Sequence, residues 1–397
     1  MLGLLLWNVG GGLFVGAPVA IPSPSPTALL TPPPTGVPAS VLLPIATPRT
    51  WTFSPEHIAI DSLGRVYTTD CLRGRIFRVG DPGGPVTIAG GGFGSFSDDA
   101  GPATKALLGC PYDLAFDAAG NLFLADTDNN RVRMVDATGL ITTVAGSGPI
   151  GWGLSHPAGD GGPATEARLG GPAGIAFDAD GNLYISDMNN HRIRMVDPSG
   201  IITTIAGDGA RFPPFGGDGG PAIDATLDTP EGIAIDAQGN IYFADTRNNR
   251  VRKIDKSGRM STIAGTGQLA SEGDEGPAVD ASLAAPRAVA VDAAGNVYVS
   301  EAVWDTWVSD PTAGEGLGNR VRRIDPQGII HAFAGTGEIG FAGDGGPATK
   351  AQLNGVNRNF GLAVDAAGNV YIADTRNYRI RIVDLTGTIR TFADGSH

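Results

Sequence analysis

The sequence predicts an all-β fold, a six-bladed β-propeller of four-stranded antiparallel blades with its long loops on one face. One unit, clearest as PEGIAIDAQGNIYFADTRNNRVRKIDKSGRMSTIAGTG from Pro230, recurs six times from Trp51 onward. Each copy holds four short runs of β-branched and aliphatic residues, which in the fourth copy are GIAID, NIYFAD, RVRKID and MSTIAG. Sixty Gly and 29 Pro make up about 22 per cent of the 397 residues, where ordinary usage is roughly 12 per cent, so turns are dense.

The elements follow in chain order. Residues 1–20 hold two short apolar runs, Leu2 to Trp7 and Leu13 to Val15, split by Gly10, Gly11 and Gly12. A membrane-spanning helix needs about 20 apolar residues in a row. Residues 1–20 therefore read as a signal peptide, although no basic stretch precedes the apolar run, with a membrane anchor as the alternative. Residues 21–50 are rich in Pro, Ser and Thr and read as an extended linker or stalk. Both segments favour an extracellular, periplasmic or cell-surface location. Residues 51–397 are the propeller.

The first Asp of each copy falls at Asp61, Asp117, Asp178, Asp236, Asp292 and Asp365. Turn sequences such as Asp-Ala-Gln-Gly-Asn and Asp-Lys-Ser-Gly separate the runs, so each copy is an antiparallel meander. A lone meander buries too little to be stable, and its continuously apolar first strand needs cover on both faces. Six meanders stacked around an axis cover one another.

These units resemble NHL repeats, and the GDGGPAT loops between them are similar to those of bacterial NHL-repeat proteins and, more distantly, of the teneurin propeller. The resemblance covers residues 51–394. It implies the fold; for function it implies only a range, since NHL propellers host protein binding, RNA binding and a few enzymes. The net charge of −13, with four Lys in the whole chain, argues against nucleic acid. Thr388 to Ala393 supply the last fourth strand from within the final copy, so the ring is expected to close without strand exchange. A strand from Val41 to Pro55 is the alternative clip.

Strand reversal puts the unit-to-unit connections and the second-to-third turns on one face. The connections run about 20 to 26 residues, against the usual 4 to 6. Five contain a Pro-Ala start followed by Leu, as in PATKALL from Pro102, which reads as one helical turn tucking a Leu onto the sheet. The Asp-Gly-Gly pieces at Asp160, Asp218 and Asp344 read as turns, because one carboxylate apiece is too little for calcium. Loop aromatics form the candidate ligand surface: Trp152, Phe212 and Phe215, with Trp304 and Trp307 in an insertion between Glu301 and Arg320. Phe93, Phe96 and Phe341 lie in the same connections.

Two repeated features read as structural. The second strands end in Asp70, Asp126, Asp187, Asp245, Glu301 and Asp374, and an Arg five residues on (Arg75, Arg131, Arg192, Arg250, Arg379, with Arg320 displaced) is expected to pair with each. The Arg-rich third strands, including Arg133, Arg194, Arg322 and Arg381, read as a solvated outer face.

An axial ligand would meet the residue five before each first Asp: Glu56, Tyr112, Ala173, Glu231, Arg287 and Phe360. Amidating lyases of this propeller type carry His there for zinc; this chain carries none, and alternation points His57 away from the axis. Gluconolactonase and paraoxonase-like propellers hold a divalent ion there. Glu56 and Glu231 are similar to their carboxylates in position, but the amide ligands are missing and Arg287 competes for Glu231. No metal ligand set is assigned; calcium at the axis is the one cofactor the resemblance leaves open. No nucleophile turn, phosphate loop or catalytic Ser, His and Asp set is visible. Cys71 and Cys110 fall at one blade junction and are either a disulfide or two thiols.

The leading expectation is an exported binding module that takes a protein or carbohydrate ligand on its long-loop face. A lactonase- or lyase-like enzyme with an axial metal is the alternative, and a rigid spacer on a Pro-rich stalk the third.

Overall fold

The computed structural model describes residues 53–97, 99–148, 159–210, 215–302, 318–355 and 360–395. Segments 1–20 and 21–50, and the loop residues Trp152, Phe212, Trp304 and Trp307, lie outside the described residues. Six four-stranded antiparallel blades occupy residues 58–89, 111–145, 172–206, 230–264, 286–334 and 362–394. In the fourth, Pro230–Ile235, Ile241–Asp245, Arg250–Ile254 and Met260–Ala264 pair in sequence order. Every blade is one continuous stretch of chain, so the ring closes without strand exchange, as expected.

The core is divided among the blade-to-blade interfaces. Tyr242, Ala244 and Val251 of the fourth blade, for example, pack with Leu283, Val289 and Val299 from the next connection and blade. Neighbouring inner strands approach so closely that a Cβ on Gly232 would lie 2.6 Å from the carbonyl oxygen of Arg287. Glycine there is a steric requirement.

Each connection is fastened to the blade it leads into. Its Pro precedes a single 3₁₀ turn, as at Ala103–Lys105 and Ala222–Asp224, and the Leu six residues after the Pro is fully buried in all five copies: Leu108, Leu169, Leu227, Leu283 and Leu353. The same Pro bridges the outer strand of the blade ahead, as Pro221 does with Arg259 and Pro347 with Thr388.

The repeated charges pair differently from the sequence expectation. Arg133, Arg194, Arg252, Arg322 and Arg381, seven residues after the strand-ending acid or displaced by the insertion, are fully buried. Each lies between two carboxylates. Arg252 contacts Asp245 of its own blade at 3.1 Å and Asp218 of the preceding connection at 3.0 Å. Arg194 sits likewise between Asp187 and Asp160, and Arg381 between Asp374 and Asp344. Arg133 joins Asp99 to Asp126 and Arg322 joins Asp274 to Glu301. The earlier Arg turns outward: Arg250 donates to the carbonyls of Asn248 and Thr266. The physical reason is a register slip against the fourth strand between Val251 and Arg252, repeated at the same place in every blade. Such irregularities re-aim side chains and break simple alternation. The Asp-Gly-Gly pieces do turn, and their Asp also supplies the outer half of the guanidinium bridge.

Blade one is the exception. Phe77 stands where the buried Arg would be, and it packs on Phe53, ring centroids 6.0 Å apart. The neighbouring cluster adds Tyr371, Ile380 and Phe392 from blade six. Apolar packing thus seals the seam where the other junctions use charge.

Removing one partner of a buried pair leaves an uncompensated charge, at a cost of about 3–5 kcal/mol. Arg252→Ala is therefore expected to lower unfolding free energy by that amount in urea denaturation. Phe77→Arg should destabilise comparably, because blade one has no connection carboxylate to receive the cation.

Candidate functional site

The first strands bring their leading residues together at the long-connection end of the axis. Glu56, Tyr112, Ala173, Glu231 and Phe360 are buried, and the Arg287 side chain is 12 % exposed. The Tyr112 hydroxyl donates to Glu231 Oε2 at 2.5 Å, and Arg287 Nη1 meets Oε1 at 2.5 Å. Blades two, four and five thus meet through one carboxylate, forming a polar plug. Burial pushes the Tyr112 phenol well above its ordinary range, and the Glu231 charge adds to this. Burial works against the Arg287 charge, but Glu231 and Tyr112 outweigh it and raise its pKa. A cation at Glu231 would have to displace two charge-assisted hydrogen bonds.

Glu56 lies beside a disulfide between Cys71 and Cys110, its carboxylate and the two sulfurs all within 4.8 Å of one another. Sulfurs bonded to each other have no thiolate to offer a metal. Of the two alternatives for these cysteines, the structure has the bond.

Beside the plug is a chamber of about 90 Å³, lined by His57, Asp113 and inner-strand residues such as Leu114, Ile233 and Ala288. His57 Nδ1 is 3.4 Å from Asp113 Oδ1, and the His57 ring lies against Tyr112 with centroids 4.4 Å apart. Its Nε2 is buried without a hydrogen-bond partner among the described residues. The expectation that His57 turns away from the axis is corrected. The amides of Glu56 and His57 bond the carbonyl and the hydroxyl of the same residue, Thr69, so the strand does not alternate there. The repeat pattern does not single out Asp113, whose copies are His57, Gly174, Gly232, Ala288 and Gly361; a carboxylate where four copies are Gly or Ala was the available signal.

On the long-loop face the large apolar side chains divide into two groups. Phe96, Phe215 and Phe341 lie over guanidinium groups of the following blade, at 3.8 Å from Arg131, 3.7 Å from Arg250 and 4.1 Å from Arg379. Phe215 therefore clamps its loop through a cation–π contact. A second set, at equivalent places in three connections, stays open: Phe93 is 57 %, Leu269 40 % and Ile339 48 % exposed. Each runs parallel to a buried Leu, pairing with Leu108, Leu283 and Leu353 respectively. Leu72, beside the Phe93 strand, is 52 % exposed.

Comparison with known proteins places this geometry. The family model of the Teneurin NHL domain matches residues 153–212 and 205–273, and that of the N-terminal part of strictosidine synthase-like proteins matches residues 52–79. Teneurin-4 of Mus musculus is 31 % identical over 305 residues, 68 % of this chain and 10 % of that protein. Teneurin-1 of Homo sapiens is 29 % identical over 365 residues, 83 % of this chain and 12 % of that one. The chain belongs to the NHL-repeat β-propeller family. It spans about a tenth of the length of these curated relatives. Among solved structures, an auxiliary nutrient binding protein from Bacteroides thetaiotaomicron superposes with a TM-score of 0.56 at 15 % identity, covering 86 % of this chain and 70 % of that one. A streptogramin B lyase superposes at 0.48 and 14 % identity, covering 87 % and 84 %. At such identities the likeness is one of fold.

The strand-ending carboxylates give the NHL ring a pH signature. Burial pushes Asp126, Asp245 and Asp374 from 3.8 up to about 6, with hydrogen bonds and their Arg partners pulling back. Between those values the folded state binds more protons than the unfolded, so stability falls as pH rises through that window. Hydrogen bonds from their own turns hold Asp136, Asp197, Asp255 and Asp384 below 3.8, so their contribution is lost as pH falls below it. The urea midpoint is therefore expected to be highest near pH 4, to fall as pH rises to about 6, and to level off by about pH 7.5.

Proposed function

We propose that this propeller is an exported binding module that engages a protein ligand through its long-loop face. The observation that carries this reading is the open apolar rim of Phe93, Leu269 and Ile339. These residues lie on loops strapped down by buried leucines and guanidinium bridges, and the rim is not needed to fill the core. Exposed apolar groups on a rigid scaffold favour association, because little ordering entropy is lost on binding. Membership in a family whose model is the Teneurin NHL domain supports the reading. The Cys71–Cys110 disulfide supports export, since such bonds persist in oxidising compartments. A carbohydrate ligand would draw on Trp152, Trp304 and Trp307, which lie outside the described residues.

The test is affinity capture from surface extracts of the source organism. The wild-type ring is compared with a Phe93→Ser, Leu269→Ser, Ile339→Ser variant that melts like it. A protein retained by the first and lost by the second is the expected outcome; equal retention sinks the reading. For the metal-enzyme alternative, calcium should leave the melting temperature unchanged, because Tyr112 and Arg287 already occupy Glu231. A calcium-dependent rise abolished by Glu56→Gln with Glu231→Gln would reverse that ranking.

A further inference from the structure

The opposite mouth of the channel, on the short-turn face, is a different surface. There the ends of the first strands in blades one to four border an open, shallow well of about 460 Å³. Its apolar lining includes Ile60, Phe116, Phe177 and Ile235, and its charged lining consists of Asp117, Asp178 and Asp236. Among the described residues no basic side chain lines it. Blades five and six carry the smaller Val291 and Val364 at the lining position, so the aromatic side chains are confined to one half of the ring.

The six first-turn aspartates share one local arrangement with one exception. In each, one oxygen accepts backbone amides two and four residues on, as in Asp178 with Asp180 and Asn182. The other oxygen accepts from the side chain four residues on and from a Tyr hydroxyl six residues on. That hydroxyl is Tyr67 for Asp61, Tyr184 for Asp178, Tyr242 for Asp236 and Tyr298 for Asp292, at 3.0 to 3.1 Å. Tyr371 is placed likewise at Asp365. In blade two the residue is Phe123, which packs edge-on against Phe177 with centroids 4.7 Å apart. Among the described residues Asp117 Oδ2 has one donor, Asn121 Nδ2 at 2.7 Å. The carboxylate with spare accepting capacity is thus the one that follows Phe116 in the lining of the well.

We propose that this well binds a small organic ammonium with an apolar body, its charged nitrogen donating to Asp117 Oδ2 and its body against Phe116 and Phe177. The chemistry is complementary on each count. A primary ammonium supplies the missing donor, aromatic faces attract cations, and two further carboxylates keep the potential negative. A carboxylic acid or phosphate is repelled by the same three groups, and a neutral isostere gains the apolar contact alone. The site is independent of the long-loop rim.

The experiment is calorimetric titration of the full chain with 2-phenylethylammonium, the neutral 2-phenylethanol and the anionic 3-phenylpropionate. The ammonium should bind at least about tenfold more tightly than the alcohol, which corresponds to one charge-assisted hydrogen bond, and the acid should not bind. Phe123→Tyr restores the hydroxyl that the other blades carry, so the fold tolerates it; it should weaken the ammonium by about the same factor and leave the alcohol unchanged. Ala118→Lys, at an exposed turn position, should abolish ammonium binding at low salt. Equal affinity for ammonium and alcohol, no ammonium binding, or indifference to Phe123→Tyr would each overturn the proposal. None of these outcomes bears on protein capture by the long-loop face.

Discussion

The ring depends on a carboxylate at the end of each second strand. In all six blades it accepts a backbone amide from the chain that enters the blade: Ser54, Gly109, Gly170, Asp228, Ala284 and Asn354 are the donors. In five blades it also holds one side of a buried guanidinium whose other side grips the incoming loop. A buried ion pair by itself is weak evidence of stability, because desolvation offsets attraction. Its value here is positional. An Arg inside a blade is tolerable only if both carboxylates arrive, so the loop can occupy one place.

That constraint explains why so much chain can lie on one face without being loose. The connections are several times longer than ordinary loops, yet proline bridge, buried leucine and guanidinium fix each of the five at separate points, and a stacked phenylalanine adds another in three. What is left open is the side chains of Phe93, Leu269 and Ile339, whose backbones are themselves pinned to the buried leucines. The short-turn face is built the other way, from tight turns that satisfy their own aspartates, so a phenylalanine in the tyrosine position leaves one carboxylate oxygen a donor short of its counterparts.

Blade number, strand order and the buried leucines were legible in the sequence because they rest on period, turn chemistry and proline position, all local properties. The charge pairing was not, because it joins residues far apart in the chain and passes through a register slip that alternation cannot represent. A signal was nevertheless present. Asp99, Asp160 and Asp218 each precede their buried Arg by 34 residues, and Asp274 precedes Arg322 by 48 across the insertion. The copy with no preceding connection in the repeat has Phe77 in place of that Arg. At the axis, the competition of Arg287 for Glu231 was legible from blade adjacency. The part played by Tyr112 was not, since its reach across the ring depends on how tightly glycine lets the inner strands converge.

The seam between blades six and one has a mechanical meaning. A Cβ on Gly395 would lie 2.4 Å from the carbonyl oxygen of Phe53, so the chain enters and leaves the ring at one spot. Tension applied through the flanking chain on either side would load the aromatic clasp of Phe53, Phe77, Tyr371 and Phe392 first. The five strapped junctions would be shielded until that clasp parted. Under force the ring would open as a hinge at a defined blade boundary, with the remaining blades still stacked as an arc.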